Sequence, residues 1–163
     1  MVINTERFQL KTLTTKDVTE KYLSWFSESK RVSQYISFAQ KKANMSDLIQ
    51  YVKDRENRED ILFLAIFTDC AQHIGNIKYE PINFEDESAT MGILIGDKKW
   101  RGRGVASEVI KGSSEYLKGN YGVKNIELGV DKNNTPAITA YKKMQFKVTK
   151  ETDSGFKMLL NLE

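Results

Sequence analysis

The chain has 163 residues, 40% hydrophobic and 29% charged, a balance that suits one soluble globular domain and excludes a disordered chain. A formal net charge of +3 is too small to make a nucleic-acid-binding face by itself. One cysteine, Cys70, excludes an internal disulfide framework, and no apolar run approaches the roughly 20 residues that cross a bilayer.

The first residues, Met1-Val2-Ile3-Asn4-Thr5-Glu6, lack the apolar core of a signal peptide, so a cytoplasmic location is expected. Residues 6–13 alternate as a strand, with Phe8 and Leu10 on one face. Thr14 and Thr15 offer helix caps. Val18, Tyr22, Trp25 and Phe26 follow at helical spacing. A second short helix is expected over Lys30–Ile36. A third is expected over Ser46–Arg55, with Leu48, Ile49 and Val52 inward. Ile61–Phe67 is a short apolar run rich in strand formers and reads as a central strand. A turn at Asp69–Gln72 leads to an antiparallel strand over His73–Tyr79. His73, the only histidine, lies three residues from Cys70, a pairing that reads as incidental. Residues 83–88 form a polar loop. Ala89–Ile95 is the next strand, where Gly92 hints at a bulge or a close backbone approach.

After Gly104 the pattern is helical. Val105, Ala106, Val109, Ile110, Tyr116 and Leu117 trace an apolar stripe, and Gly119 and Gly122 stop it. Lys124–Val130 reads as a strand. Asn134 caps a short helix that tolerates Pro136 in its first turn and turns Ala137, Ala140, Tyr141 and Met144 inward. Phe146–Glu151 and Phe156–Leu162 close the chain as two strands joined at Asp153-Ser154-Gly155. No repeat or Gly/Ser-rich linker divides the chain, so 1–163 is expected to be a single α/β domain with a mixed sheet of about seven strands.

The segment richest in chemistry is Asp97-Lys98-Lys99-Trp100-Arg101-Gly102-Arg103-Gly104. It lies between a strand and a helix. Its glycines allow close backbone approach, and the helix start adds unsatisfied N–H donors and partial positive charge. Lys98, Lys99, Arg101 and Arg103 add cations, so the segment suits a phosphate or pyrophosphate. A P-loop would need Gly-Lys-Ser/Thr, which is absent. A dinucleotide fingerprint belongs in a parallel βαβ unit, and this run follows antiparallel strands.

Arg101-x-x-Gly104-x-Ala106 resembles the Gln/Arg-x-x-Gly-x-Gly/Ala motif of the GNAT N-acetyltransferase superfamily. Asn134-x-x-Ala137-Ile138-x-x-Tyr141-x-Lys143-x-x-Phe146 is similar to that family's C-terminal helix–strand signature. Gln145 departs from it, since glycine usually precedes the aromatic. Tyr22-Leu23-Ser24-Trp25-Phe26 and Ile93-Leu94-Ile95-Gly96-Asp97 look most like the branch that holds ribosomal-protein, polyamine and nucleotide-aminosugar acetyltransferases.

The resemblance implies a GNAT-like fold with two splayed central strands, Ala89–Ile95 and Lys124–Val130, and acetyl-CoA between them as co-substrate. It implies that Arg101 and Gly102 shape the phosphate turn. The amides of Arg103, Gly104, Val105 and Ala106 would hold the pyrophosphate. Backbone at Leu94 and Ile95 would hold the pantetheine, with an amide there stabilising an oxyanion. Asn134 would cap its helix and touch the cofactor. Tyr141 would be the general acid toward the CoA thiolate. Glu80 is the candidate base, with Glu127 and His73 as weaker alternatives. No metal is expected.

Residues 61–163 would form the acetyl-CoA-binding core and 1–60 the acceptor side. There Tyr22, Trp25, Phe26, Tyr35 and Phe38 serve either as core or as stacking surfaces. The expected acceptor is a small-molecule amine, with a nucleotide-linked aminosugar first and a polyamine or protein N-terminus as alternatives. A non-catalytic acyl-CoA-binding module is the competing reading. No nucleic-acid or membrane partner is expected, and the assembly is left open between monomer and homodimer.

Overall fold

In chain order the elements are β1 (Val2–Asn4), β2 (Phe8–Thr12), a 3-10 turn (Thr15–Asp17), α1 (Glu20–Ser24), α2 (Met45–Lys53), β3 (Leu62–Thr68), β4 (His73–Asn83), β5 (Ser88–Ile95), a 3-10 turn (Lys98–Trp100), α3 (Val105–Tyr121), β6 (Asn125–Asp131), α4 (Thr135–Lys143), β7 (Lys147–Glu151) and β8 (Gly155–Asn161). This computed structural model describes residues 1–27 and 44–163. The helix expected at Lys30–Ile36, with Tyr35 and Phe38, lies outside the described residues.

The strands form one sheet in the order β1-β2-β3-β4-β5-β6-β8-β7. Every neighbouring pair is antiparallel except β5 and β6, which run parallel. The expected mixed α/β fold is therefore present, with an eighth strand. That strand is β1, whose three residues are too few to show a period in sequence.

β3 reads as an unbroken apolar run because both its faces are covered. Leu62, Leu64 and Ile66 join the core beneath α3. Phe63 and Ala65 join a second core with Tyr22, Trp25, Phe26, Leu48 and Val52 on the opposite face.

Several boundaries differ from expectation. Thr19, not Thr14 or Thr15, caps α1, its hydroxyl accepting from Tyr22 N at 3.2 Å. Thr14 and Asp17 form a capping box around the preceding 3-10 turn. Ile49 is 38% exposed rather than inward, because Leu48 and Val52 alone point the face of α2 at the core. β4 runs on to Asn83, beyond the expected end at Tyr79. Its register shifts between Tyr79 and Ile82, which is where Pro81 is accommodated. Gly92 stands in regular register opposite Lys78, so it marks no bulge. α3 passes through Gly119 and ends only at Gly122, whose φ of 68° makes the left-handed cap.

Candidate active site

β5 and β6 pair at Ser88/Asn125, Ala89/Ile126 and Thr90/Glu127, and at no residue beyond. From Met91 onward β5 bonds only to β4, while β6 continues on β8 as far as Asp131/Gly155. The sheet therefore opens into a gap. A cavity of about 560 Å³ fills it, lined by Met91, Gly92, Ile93, Leu128, Gly129, Val130, Asp131, Asn134, Tyr141, Thr152, Ser154, Gly155, Phe156 and Lys157.

One helix, α4, reaches this cavity with two of its residues. Asn134 begins α4, its side-chain oxygen accepting from Ala137 N at 3.3 Å. About two turns later Tyr141 packs on Phe146, with ring centroids 5.6 Å apart. Burial raises the Tyr141 pKa, so the phenol stays protonated through the physiological range.

At the far end of β5 the chain makes the basic glycine turn. Gly102 and Gly104 have φ of 72° and 75°, and a Cβ at Gly102 would meet nothing within 4 Å. The requirement there is backbone conformation rather than space. Gly104 is the N-cap of α3, whose first-turn amides have no carbonyl one turn earlier to bond. Arg101 bends back, donating from Nε to Ile95 O at 2.9 Å and from Nη2 to Gly96 O at 3.3 Å. Arg103 stacks its guanidinium 4.3 Å from the Trp100 ring centroid. Lys98 and Lys99 are exposed. The strand that borders the gap, β5, thus runs on into a left-handed glycine turn and a helix start.

The sequence profile of the acetyltransferase (GNAT) domain matches residues 7–147. The chain belongs to the GNAT acetyltransferase family. It is an acetyl-CoA-dependent acetyltransferase acting on an amine.

Solved GNAT acetyltransferases share the fold of this one at low identity. Spermidine N-acetyltransferase from Vibrio cholerae, in complex with CoA and spermine, is 17% identical with a TM-score of 0.81, over 94% of this chain and 95% of that one. The acetyl transferase of Salmonella typhimurium that modifies the N-terminal serine of a 50S ribosomal subunit protein is 11% identical with a TM-score of 0.84, over 100% of both chains. A microcin C7 self immunity acetyltransferase in complex with acetyl-CoA and AMP is 14% identical with a TM-score of 0.79, over 96% of this chain and 93% of that one. No curated protein sequence matches the chain. The neighbours therefore span several acceptors and do not single out the aminosugar branch.

Within this acetyltransferase, Arg101 through Ala106 form the expected turn and helix start, while Asn134 and Tyr141 line the gap. Leu94 and Ile95 do not line it. Gly96 N donates to Ile74 O at 2.9 Å, so alternation turns the backbone groups of Leu94 and Gly92 toward β4 and those of Met91, Ile93 and Ile95 away from it, to the side of the gap. The Leu94 side chain is buried in the second core, and Ile95 O is taken by Arg101.

Glu80 sits apart from the cavity lining. Its Oε2 lies 3.0 Å from both Arg55 Nε and Lys78 Nζ. Burial pushes its pKa up, but hydrogen bonds and charge from Lys78 and Arg55 outweigh that and hold the carboxyl below its usual range. Glu127 is exposed on β6 at the last paired position. His73 is enclosed by Tyr22, Trp25 and Phe67 and shares a 2.7 Å hydrogen bond with Asn76 Oδ1, while Cys70 is exposed. Among the described residues no His/Cys/Asp/Glu cluster could hold a metal ion, and no helix is long and apolar enough to cross a membrane.

Sequence reasoning missed the wall supplied by Thr152, Ser154, Phe156 and Lys157, because it arrives from β8 and its turn. One signal was available: Gly129 interrupts a strand pattern, as glycine does where another chain or ligand approaches. Tyr22, Trp25 and Phe26 are core residues, at 0%, 3% and 8% exposure, and offer no stacking surface.

Proposed function

We propose that the enzyme acetylates the primary amine of a nucleotide-linked aminosugar. The observation that carries this reading is the charge on the acceptor face of the sheet. Lys78 stands opposite Gly92, a gap residue, and among the described residues it and Arg55 meet the single carboxylate of Glu80. Tyr51 stacks under Arg55, whose guanidinium lies 3.6 Å from the ring centroid, and accepts a 2.6 Å hydrogen bond from Lys78. Two cations against one carboxylate favour an acceptor that carries phosphate and disfavour a polyamine.

Acetyl-CoA supplies the activated thioester. The amides of Arg103 to Ala106 bind its diphosphate. The Ile93 N–H faces the gap and stabilises the developing oxyanion. Tyr141, protonated and at the wall of the gap, gives its proton to the departing sulfur. Glu80, held ionised and set back from the gap, receives the proton of the acceptor amine through water. An aminosugar amine is less basic than a polyamine and makes a smaller demand on such a base.

Thiol release from acetyl-CoA, measured across nucleotide-linked aminosugars, polyamines and peptides, tests this. A kcat/KM highest for the nucleotide-linked aminosugars is expected. Turnover confined to polyamines or peptides would exclude the proposed acceptor while leaving the transfer chemistry intact.

A further inference from the structure

Arg7 lies just before β2, nearly one hundred residues from the glycine turn, yet it is built into the start of α3. Its Nε donates to Glu108 Oε2 at 2.7 Å and its backbone N donates to Glu108 Oε1 at 2.6 Å. Thr5 Oγ1 donates to the same oxygen at 2.8 Å. Burial pushes the Glu108 pKa up, and these donors more than reverse the effect, so Glu108 is a fixed anion. The guanidinium is thus oriented through Nε alone. Among the described residues neither Nη group makes a hydrogen bond. Nη2 lies 3.7 Å from where a Cβ on Gly104 would stand, beside the first-turn amides of α3. The guanidinium is 5.0 Å from the Phe8 ring centroid, Phe8 meets Trp100 edge-on at 5.2 Å, and Trp100 carries Arg103. Two arginines therefore flank the turn, one from each end of a short aromatic stack.

As a structural pin alone this arrangement is poor electrostatics. A carboxylate in the first turn favours the positive end of a helix, and a cation there opposes it. Arg7 cancels the benefit of Glu108, and Arg103, stacked on Trp100 just before the helix, adds further positive charge there. An anion seated at the turn resolves that repulsion, and the open fork of Arg7 has the planar geometry for a phosphate.

We propose that Arg7, oriented by Glu108, binds a phosphate group of acetyl-CoA at the start of α3. The inference rests on the assignment of the turn as the acetyl-CoA phosphate site. Arg7 is a binding residue; Glu108 is a positioning residue that acts through it.

The test uses the full chain and compares Kd for acetyl-CoA, 3′-dephospho-acetyl-CoA and the phosphate-free S-acetylpantetheine in wild type, Arg7→Gln and Arg7→Lys. Arg7→Gln is expected to shrink the preference for acetyl-CoA over S-acetylpantetheine by about ten- to a hundredfold, the range for one or two lost charge-assisted hydrogen bonds. Arg7→Lys should recover part of it. A loss seen with acetyl-CoA but not with its 3′-dephospho form assigns the contact to the 3′-phosphate, and an equal loss with both assigns it to the diphosphate. An unchanged preference, or an equal loss with S-acetylpantetheine, overturns the proposal and leaves Arg7 as a pin. Failure of the wild-type protein to bind acetyl-CoA would instead undo the underlying assignment.

Discussion

Thr90 pairs with Glu127, and this is the last register that β5 and β6 share. Beyond it each strand keeps its other neighbour, so the gap adds no free sheet edges except the two that face each other. Those edges supply hydrogen-bonding backbone to a ligand without unfolding either strand. The gap opens toward the end of the sheet where β5 runs into the glycine turn.

Tyr141→Phe should lower kcat at least tenfold with little change in acetyl-CoA affinity, because general-acid contributions are typically about 10²–10⁴. Steady-state kinetics with one acceptor checks this. The raised phenol pKa also keeps any alkaline limb due to Tyr141 above about pH 10. An unchanged kcat with weakened binding would assign Tyr141 to packing.

Gly104→Val should remove acetyl-CoA binding. A β-branched residue is strained at a φ of 75°, and its side chain would stand over the amides that face the phosphate. Thermal melting with and without the donor is the readout: wild type gains stability as acetyl-CoA exceeds its Kd, and the variant does not. A shift of equal size in both would place the phosphate elsewhere.

Gly96→Ala should destabilise the fold by about 1–3 kcal/mol, as overpacking does. Its Cβ would fall 2.0 Å from Trp25 Cδ2, against an indole that is 3% exposed. Urea denaturation reads the lowered midpoint. A midpoint equal to wild type would mean that Trp25 moves aside freely.

Glu80→Gln removes a carboxylate whose pKa is held low in the folded state by Lys78 and Arg55 against the upward push of burial. Stability from such a group is complete above its unfolded pKa of about 4.3 and is lost as pH falls through the folded value. The variant should be about 1 kcal/mol less stable at pH 7, and the difference should close below about pH 4. Denaturation at the two pH values measures it. In the same variant, an acid limb of kcat/KM that stays in place would argue against Glu80 as base.

The sequence by itself determined the glycine turn, the family and, apart from β1 and the stretch outside the described residues, the element order. These rest on local physics: left-handed positions at Gly102 and Gly104, an Asn134 cap, and apolar periods long enough to count. Tertiary structure decided everything that depends on register and on which face meets which. Of the expected pair Leu94 and Ile95 it turned the Leu94 backbone toward β4 and left Ile95, with Ile93, on the side of the gap, because hydrogen-bond alternation depends on pairing with β4. It turned Ile49 outward and buried Tyr22, Trp25 and Phe26, because helical spacing gives a stripe but not what covers it. It drew Glu80 into ion pairs and set Arg7 beside Gly104, contacts that join residues 25 and about 100 positions apart and leave no periodic trace in the chain.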